Sequence, residues 1–186
     1  KCKIIDNRKI VTLDIFEKET FPKKEFSTHI AISPTKSHDR IEWFVEKSVE
    51  LGVSEISFIK SKRTERKKIN FNRINRIAIS AMKQSGQFYL PKINDLLSFD
   101  KLVETVKVKS LFIAHIDIEK ERLVNSYKTA EDSCILIGPE GDFTLDEIDK
   151  SKNFDFKAIT LGENRLRTET AGIVACHLLN ILNTYD

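Results

Sequence analysis

Apolar and polar positions switch repeatedly between two periods along this chain. Thr28–Ser33 is a short apolar run, and Ile41, Phe44, Val45, Ser48 and Val49 then recur at helical spacing. Ser37 or Asp39 serves as the cap of that helix and Gly52 as its stop. Ser54–Ile59 alternates like a strand. A second helix carries Ile74, Ile77, Ala78, Ala81 and Met82 on one face, shows Arg73, Arg76 and Lys83 on the other, and ends at Gly86. Phe99–Val106 reads as a short helix, and Ser110–Ile116 and Ser133–Ile137 as apolar strands. Thr144-Leu145-Asp146-Glu147 is a capping box, with Phe143 and Ile148 placed as a hydrophobic staple. Phe156–Leu161 is the last strand. Thr168 is expected to cap a final helix that runs to about Asn183.

Strand–helix alternation of this kind predicts an α/β fold, with a mainly parallel sheet covered by helices on both faces. The final helix is apolar nearly all round, from Ala171, Ile173, Val174, Ala175 and Cys176 to Leu178, Leu179, Ile181 and Leu182. Such a helix has to be buried. A second subunit is expected to supply part of that burial, which predicts a homodimer.

Residues 1–26 differ from the rest. Lys3-Ile4-Ile5 and Lys9–Ile15 are strand-like runs about an Asp6-Asn7-Arg8 turn. A lone hairpin is marginal in water. The expectation is therefore two units: residues 1–26 as the tail of a larger amino-terminal β domain with Phe21-Pro22-Lys23-Lys24 as linker, and residues 27–186 as the main domain.

Composition narrows the class. The 186 residues are 40% hydrophobic and 32% charged, with a formal charge of +3. No apolar stretch approaches the roughly 18 residues of a membrane span, and no signal-peptide pattern is present. Cys2, Cys134 and Cys176 are far apart, without metal-ligand spacing. They predict a reducing, cytoplasmic setting, with Cys134 and Cys176 as small core residues and no metal. Charge is uneven: Lys60, Lys62, Arg63, Arg66, Lys67 and Lys68 are offset only by Glu65. Such a patch attracts a phosphate backbone, although composition alone favours a solvated surface loop.

The chemistry concentrates in Ile135-Leu136-Ile137-Gly138-Pro139-Glu140-Gly141 and in Leu161-Gly162-Glu163-Asn164-Arg165-Leu166-Arg167-Thr168-Glu169-Thr170-Ala171. Each is an apolar strand entering a tight loop and then a helix. Two such loops on adjacent parallel strands form a ligand crevice at the strands' carboxyl ends. Neither contains the dinucleotide or P-loop signature. Gly138, Gly141 and Gly162 permit close approach of a ligand to backbone. Leu136, Ile137, Leu161 and Leu166 offer surfaces for an adenine. Trp43 reads as a core residue rather than a stacking platform, and His177 as structural.

The two segments together resemble the carboxyl-terminal region of the SPOUT superfamily of RNA methyltransferases. They look most like the branch that methylates uracil N3 in 16S ribosomal RNA. Arg40-Ile41-Glu42-Trp43, Glu46–Val53 and Gln84-Ser85-Gly86 resemble the family upstream, and the likeness spans about residues 28 to 183. The resemblance implies an S-adenosyl-L-methionine pocket built by His115, Leu136, Ile137, Gly138, Pro139, Gly141, Leu161, Gly162, Asn164, Leu166 and Thr170. It implies a carboxyl-terminal trefoil knot, an exception to the unknotted rule, and a small PUA-like barrel at the amino terminus. The implied partner is 16S ribosomal RNA or a small-subunit particle; from the charge pattern, the basic 60–68 segment of one subunit or a partner's amino-terminal domain is expected to hold it.

Uracil N3 must lose its proton, and the resulting anion spreads charge onto O2 and O4. Arg167 is the first candidate for the guanidinium that stabilises it, ahead of Arg165, whose other reading is a side chain facing solvent or RNA. Glu169 either accepts the proton, orients Arg167, or merely favours the helix N-terminus. Glu140 either faces the sulfonium or ties the loops together, and His115 either lines the pocket or belongs to the core. Lys83 and Gln87 depart from the family, as does Asp142, which stands where glycine is common. A SPOUT enzyme aimed at a ribose 2′-hydroxyl and a non-catalytic RNA-binding protein are the rival readings.

Overall fold

The computed structural model describes residues 1–116 and 121–184. Two strands, β1 (Cys2–Asp6) and β2 (Thr12–Ile15), form a separate antiparallel hairpin. The other strands are β3 (Thr28–Ile32), β4 (Glu55–Lys60), β5 (Lys92–Ser98), β6 (Ser110–Ala114), β7 (Glu121–Arg122), β8 (Ser133–Ile137) and β9 (Lys157–Thr160). They make one sheet in the order β5-β4-β3-β8-β6-β9-β7, and every pairing in it is parallel. Six helices accompany them among the described residues: α1 (His38–Glu50), α2 (Phe71–Gln84), α3 (Phe99–Thr105), α4 (Leu123–Ser126), α5 (Leu145–Lys152) and α6 (Thr168–Leu182).

Helices cover both faces, as the alternation requires. One face of the sheet joins Ile30, Ile32, Ile56, Phe58, Ile135 and Ile137 to α1, α2, α4 and α6. The other joins Ala31, Ile59, Ile113, Cys134 and Leu136 to α3 and α5. The buried strands β3 and β8 therefore read as continuous apolar runs. The capping box on α5 is formed: Thr144 N–H donates to Glu147 Oε2 at 2.9 Å, and Glu147 N–H to Thr144 Oγ1 at 3.3 Å.

Several expectations need correction. Strand β5 was not visible in the sequence, because Asn94 and Asp95 interrupt its apolar positions and its register slips against β4. Strand β7 and helix α4 are too short to show a period. Arg167, not Thr168, is the N-cap of α6; Thr168 already has helical geometry and is buried. Trp43 is 46% exposed, because the buried stripe of α1 runs through Ile41, Phe44, Val45, Ser48 and Val49 and leaves it outside. His177 is also exposed.

Helix α6 is seated closely on α1 and β3. A Cβ built at Gly172 meets the Phe44 ring at 2.5 Å and Ile32 Cδ1 at 3.0 Å. Its buried face holds Gly172, Ala175, Cys176 and Leu179, while Ile173, Val174 and Leu178 are half-buried and Ile181 is exposed. Overpacking a well-filled core costs about 1–3 kcal/mol. Gly172→Val is expected to lower the free energy of unfolding by about 2 kcal/mol, read as a lower denaturant midpoint at unchanged slope.

A polar cluster crosses β3, β4 and β5. His29 Nε2 lies 2.8 Å from Ser57 Oγ, and Asn94 Nδ2 donates to Ser57 Oγ and Glu55 Oε1. Burial pushes His29 from its ordinary 6.5 down to about 4, against the pull of Glu55. Above pH 6.5 neither state binds this proton. Below it the unfolded chain does and the folded chain does not, so stability falls as pH drops from about 6.5 to about 4. His29→Gln should flatten that limb in denaturation curves measured across the range. A limb of unchanged steepness would remove His29 as its cause.

Candidate functional site

Strand order decides where the two loop motifs meet. They were expected on adjacent strands, but β6 stands between β8 and β9. The crossover β8–α5–β9 skips one strand position, and β6 fills it. Its end, Ala114-His115-Ile116, becomes the middle wall of a cavity of about 380 Å³ at the carboxyl ends of the three strands. That is the place where open parallel sheets bind ligands, and the volume is in the usual range for a small-molecule site.

The cavity brings together most of the expected residues. His115, Ile137, Gly138, Pro139, Leu161, Gly162, Asn164, Leu166 and Arg167 all line it. Leu136 does not, because alternation along β8 turns it into the opposite core with Ile113 and Phe143. Gly141 faces the other way, towards Arg63, whose side chain stands 3.2 Å from a Cβ built there. Thr170 is half-buried on α6 and does not line the cavity. Sequence reasoning missed Ala114, Ile116, Asp142, Thr160, Glu163, Thr168 and Ala171, which also line it. Those on β6 become visible only once strand order is known.

The loops are tied together by hydrogen bonds. Arg165 donates to the Glu140 carbonyl at 3.3 Å, and the Glu140 carboxylate accepts the Lys36 N–H at 3.1 Å. The Glu140 carboxylate thus ties its loop to the segment after β3, and Glu140 also lines the cavity. Thr160 Oγ1 donates to the Gly162 carbonyl at 2.7 Å, closing a small turn. Gly162 has φ of +151°, a conformation that side chains rarely adopt.

Glu169 lies in the first turn of α6 and is 5% exposed. Its Oε1 stands 3.6 Å from Arg40 Nε, while its buried Oε2 has no hydrogen-bond partner among the described residues. Glu169 therefore pairs with Arg40 rather than orienting Arg167. Arg167 itself is exposed at the cavity wall.

The basic segment divides into two sets. Lys62 N–H donates to Glu147 Oε1 and its Nζ to Asp146; Arg63 donates to the Gly141 carbonyl; Arg66 donates to the carbonyls of Thr35 and Lys36. These three shape the loop against the motif segments. Lys60, Lys67 and Lys68 are exposed. Among the described residues there is no cluster of His, Cys, Asp and Glu able to hold a metal, and no helix long and apolar enough to cross a membrane.

The RNA methyltransferase domain family matches residues 22–180. The ribosomal RNA small subunit methyltransferase E of Mesomycoplasma hyopneumoniae is 32% identical over 157 residues, which cover 82% of this chain and 67% of that protein. Its namesake from Buchnera aphidicola of Acyrthosiphon pisum is 32% identical, with 97% of this chain and 74% of that protein covered. A probable rRNA-methyltransferase from Porphyromonas gingivalis superposes with a TM-score of 0.88 at 38% identity, covering 98% of this chain and 79% of that one. A ribosomal RNA small subunit methyltransferase E from Neisseria gonorrhoeae, solved bound to S-adenosyl methionine, superposes with a TM-score of 0.76 at 28% identity over 85% of this chain and 67% of that one. With its parallel sheet, its two loop motifs on one cavity and these relatives, the chain belongs to the RNA methyltransferase domain family, among the ribosomal RNA small subunit methyltransferase E proteins of the SPOUT type.

Proposed function

We propose that the chain is an S-adenosyl-L-methionine-dependent methyltransferase acting on N3 of a uridine in 16S ribosomal RNA, free or within a small-subunit particle. One observation carries the reading: both loop motifs line a single cavity, with His115 between them. The relatives support the cofactor and the class of RNA. When bound, S-adenosylmethionine supplies an electrophilic methyl group.

The described residues fit that cofactor. Ile137, Leu161 and Leu166 offer apolar surface to an adenine, and the backbone of the Gly138 and Gly162 turns offers hydrogen bonds to its edge. A Cβ at Gly138 would crowd Asp142 and Phe143 at 3.2 Å, so bulk there narrows the wall. Arg167 stabilises the uracil anion as N3 loses its proton. Glu169 is the proposed acceptor of that proton from the first turn of α6, although its carboxylate is buried and does not line the cavity. Lys60, Lys67 and Lys68 face the phosphate backbone of the RNA, with Lys62, Arg63 and Arg66 holding their loop in shape.

The finer architecture belongs to the same reading. Strand β7 lies outside β9 in the sheet although it precedes β8 in the chain, and α6 returns to pack on β3. That order is in keeping with a trefoil knot. The exposed apolar side chains Ile4, Ile5, Ile10, Val11 and Ile15 of the hairpin support a remnant of a PUA-like domain, with a boundary near residue 26. The RNA substrate and the free thiols of Cys2, Cys134 and Cys176 support a cytoplasmic setting.

Nucleoside analysis of ribosomal RNA from a deletion strain tests the whole reading: 3-methyluridine should disappear from 16S RNA and return on complementation. Two variants should separate binding from turnover. Gly162→Val forces a side chain into a strained backbone and is expected to weaken S-adenosylmethionine binding by more than about tenfold in calorimetry. Arg167→Ala should keep that affinity within about threefold while turnover falls by about 10²-fold or more. Equal turnover in Arg167→Ala would remove Arg167 from the chemistry.

The outward stripe of α6, Ile173, Val174, Leu178 and Ile181, is proposed as a homodimer interface. Ile173→Asp is expected to sediment as a monomer and to bind cofactor more weakly. A wild type that is monomeric at micromolar concentration would refute the dimer.

A further inference from the structure

Asp142 has the backbone of a glycine, with φ of +61°. Aspartate reaches this region more easily than most residues, but at some cost. The side chain offsets that cost with contacts. Its Oδ1 accepts the Phe143 N–H at 2.7 Å and its Oδ2 accepts the Ile116 N–H at 3.4 Å. Oδ2 also stands 2.8 Å from His115 Nδ1. Both residues line the cavity. The Nδ1 atom is buried, yet it has no well-aligned hydrogen bond: the distance to Asp142 is right, and the oxygen lies off the direction of a ring N–H. Hydrogen bonds at such sites are commonly poorly aligned before a ligand arrives and tighten with it.

We propose that Asp142 is a positioning residue for cofactor binding: it holds His115 in the tautomer with Nδ1 protonated, so that Nε2 presents a bare acceptor to a ribose hydroxyl of the bound nucleoside. The inference rests on the S-adenosylmethionine reading above. A neutral imidazole has one proton for two nitrogens, and the partner of one nitrogen sets the role of the other. With Nδ1 buried against a carboxylate, the opposite edge of the ring is what remains for the cavity. Strand β6 places that edge between the two loops, whose backbones take the adenine. The ribose diol carries the cofactor's only hydroxyl donors, and a neutral acceptor suits them.

The test compares wild type with Asp142→Gly and Asp142→Asn. Glycine and asparagine both accept left-handed backbone, so both variants keep the loop. Affinity for S-adenosylmethionine and for 5′-methylthioadenosine, which keeps the ribose and lacks the amino-acid group, is measured by calorimetry. Asp142→Gly should weaken both ligands by about tenfold, the loss of one hydrogen bond. It should raise the cofactor KM by the same factor and leave kcat within about twofold. Asp142→Asn should fall between wild type and Asp142→Gly, because its one oxygen can accept from His115 only by turning the amide N–H2 towards the Phe143 N–H. Nitrogen-15 NMR should show His115 protonated at Nδ1 in the wild type but not in Asp142→Gly. The proposal is overturned if Asp142→Gly binds like wild type, if the His115 tautomer is the same in Asp142→Gly as in wild type, or if only S-adenosylmethionine is affected. A wild type that binds neither ligand overturns the cofactor reading, and this inference with it.

Discussion

The seat of helix α6 governs much of the structure. The helix begins immediately after the second motif loop and must lie flat against β3 and α1, where only a residue without a side chain fits between the Phe44 ring and Ile32. That close approach fixes the axis of α6. Because Arg167 and Thr168 start the helix and also line the cavity, it fixes one cavity wall as well. Core packing and ligand geometry are therefore the same constraint viewed from two ends. A small shift of the helix would move Thr168, Ala171 and the buried Glu169 together.

Much of this was legible in the sequence because its signals were local. Helix α1 announced itself by Ile41, Phe44, Val45 and Val49, and α5 by a capping box whose hydrogen bonds all form. The two loop motifs were visible as strand–turn–helix passages with glycine at the turns. What stayed hidden depends on contacts between distant residues. No periodicity shows that β6 lies between β8 and β9, so the lining by Ala114 and Ile116 was missed. Leu136 was assigned to the cavity by its place in a motif, although strand alternation sends it to the other face. Trp43 was assigned to the core by residue type, although its position on α1 lies off the buried stripe. In each case the period of the element carried more information than the identity of the residue.

The basic segment shows how one charge pattern can serve two purposes. By composition its six cations are equivalent. In space, Lys62 bonds to α5, Arg63 to the Gly141 carbonyl, and Arg66 to the carbonyls that precede α1. Guanidinium groups suit that work because several N–H donors in a fixed fork can satisfy several carbonyls at once. The lysines that remain, Lys60, Lys67 and Lys68, are flexible point charges at the surface. A loop whose backbone is stitched by its arginines carries its exposed lysines at a defined place on the surface.

The same stitching bears on how the cavity keeps its shape before any ligand arrives. Arg165 ties the second loop to Glu140, Glu140 ties the first loop to Lys36, and Arg63 ties it to the segment after β4. Three chain segments thus meet around one short turn, Gly138–Gly141. Most of these bonds use backbone groups, which a ligand does not need to displace. Among the side chains that line the cavity, Arg167 is exposed at the wall and His115 stands beside Asp142. Methyl transfer asks for little more than a held methyl group, a stabilised anion and a place for one proton. A cavity whose loops are satisfied by one another has little left to reorganise when a ligand enters.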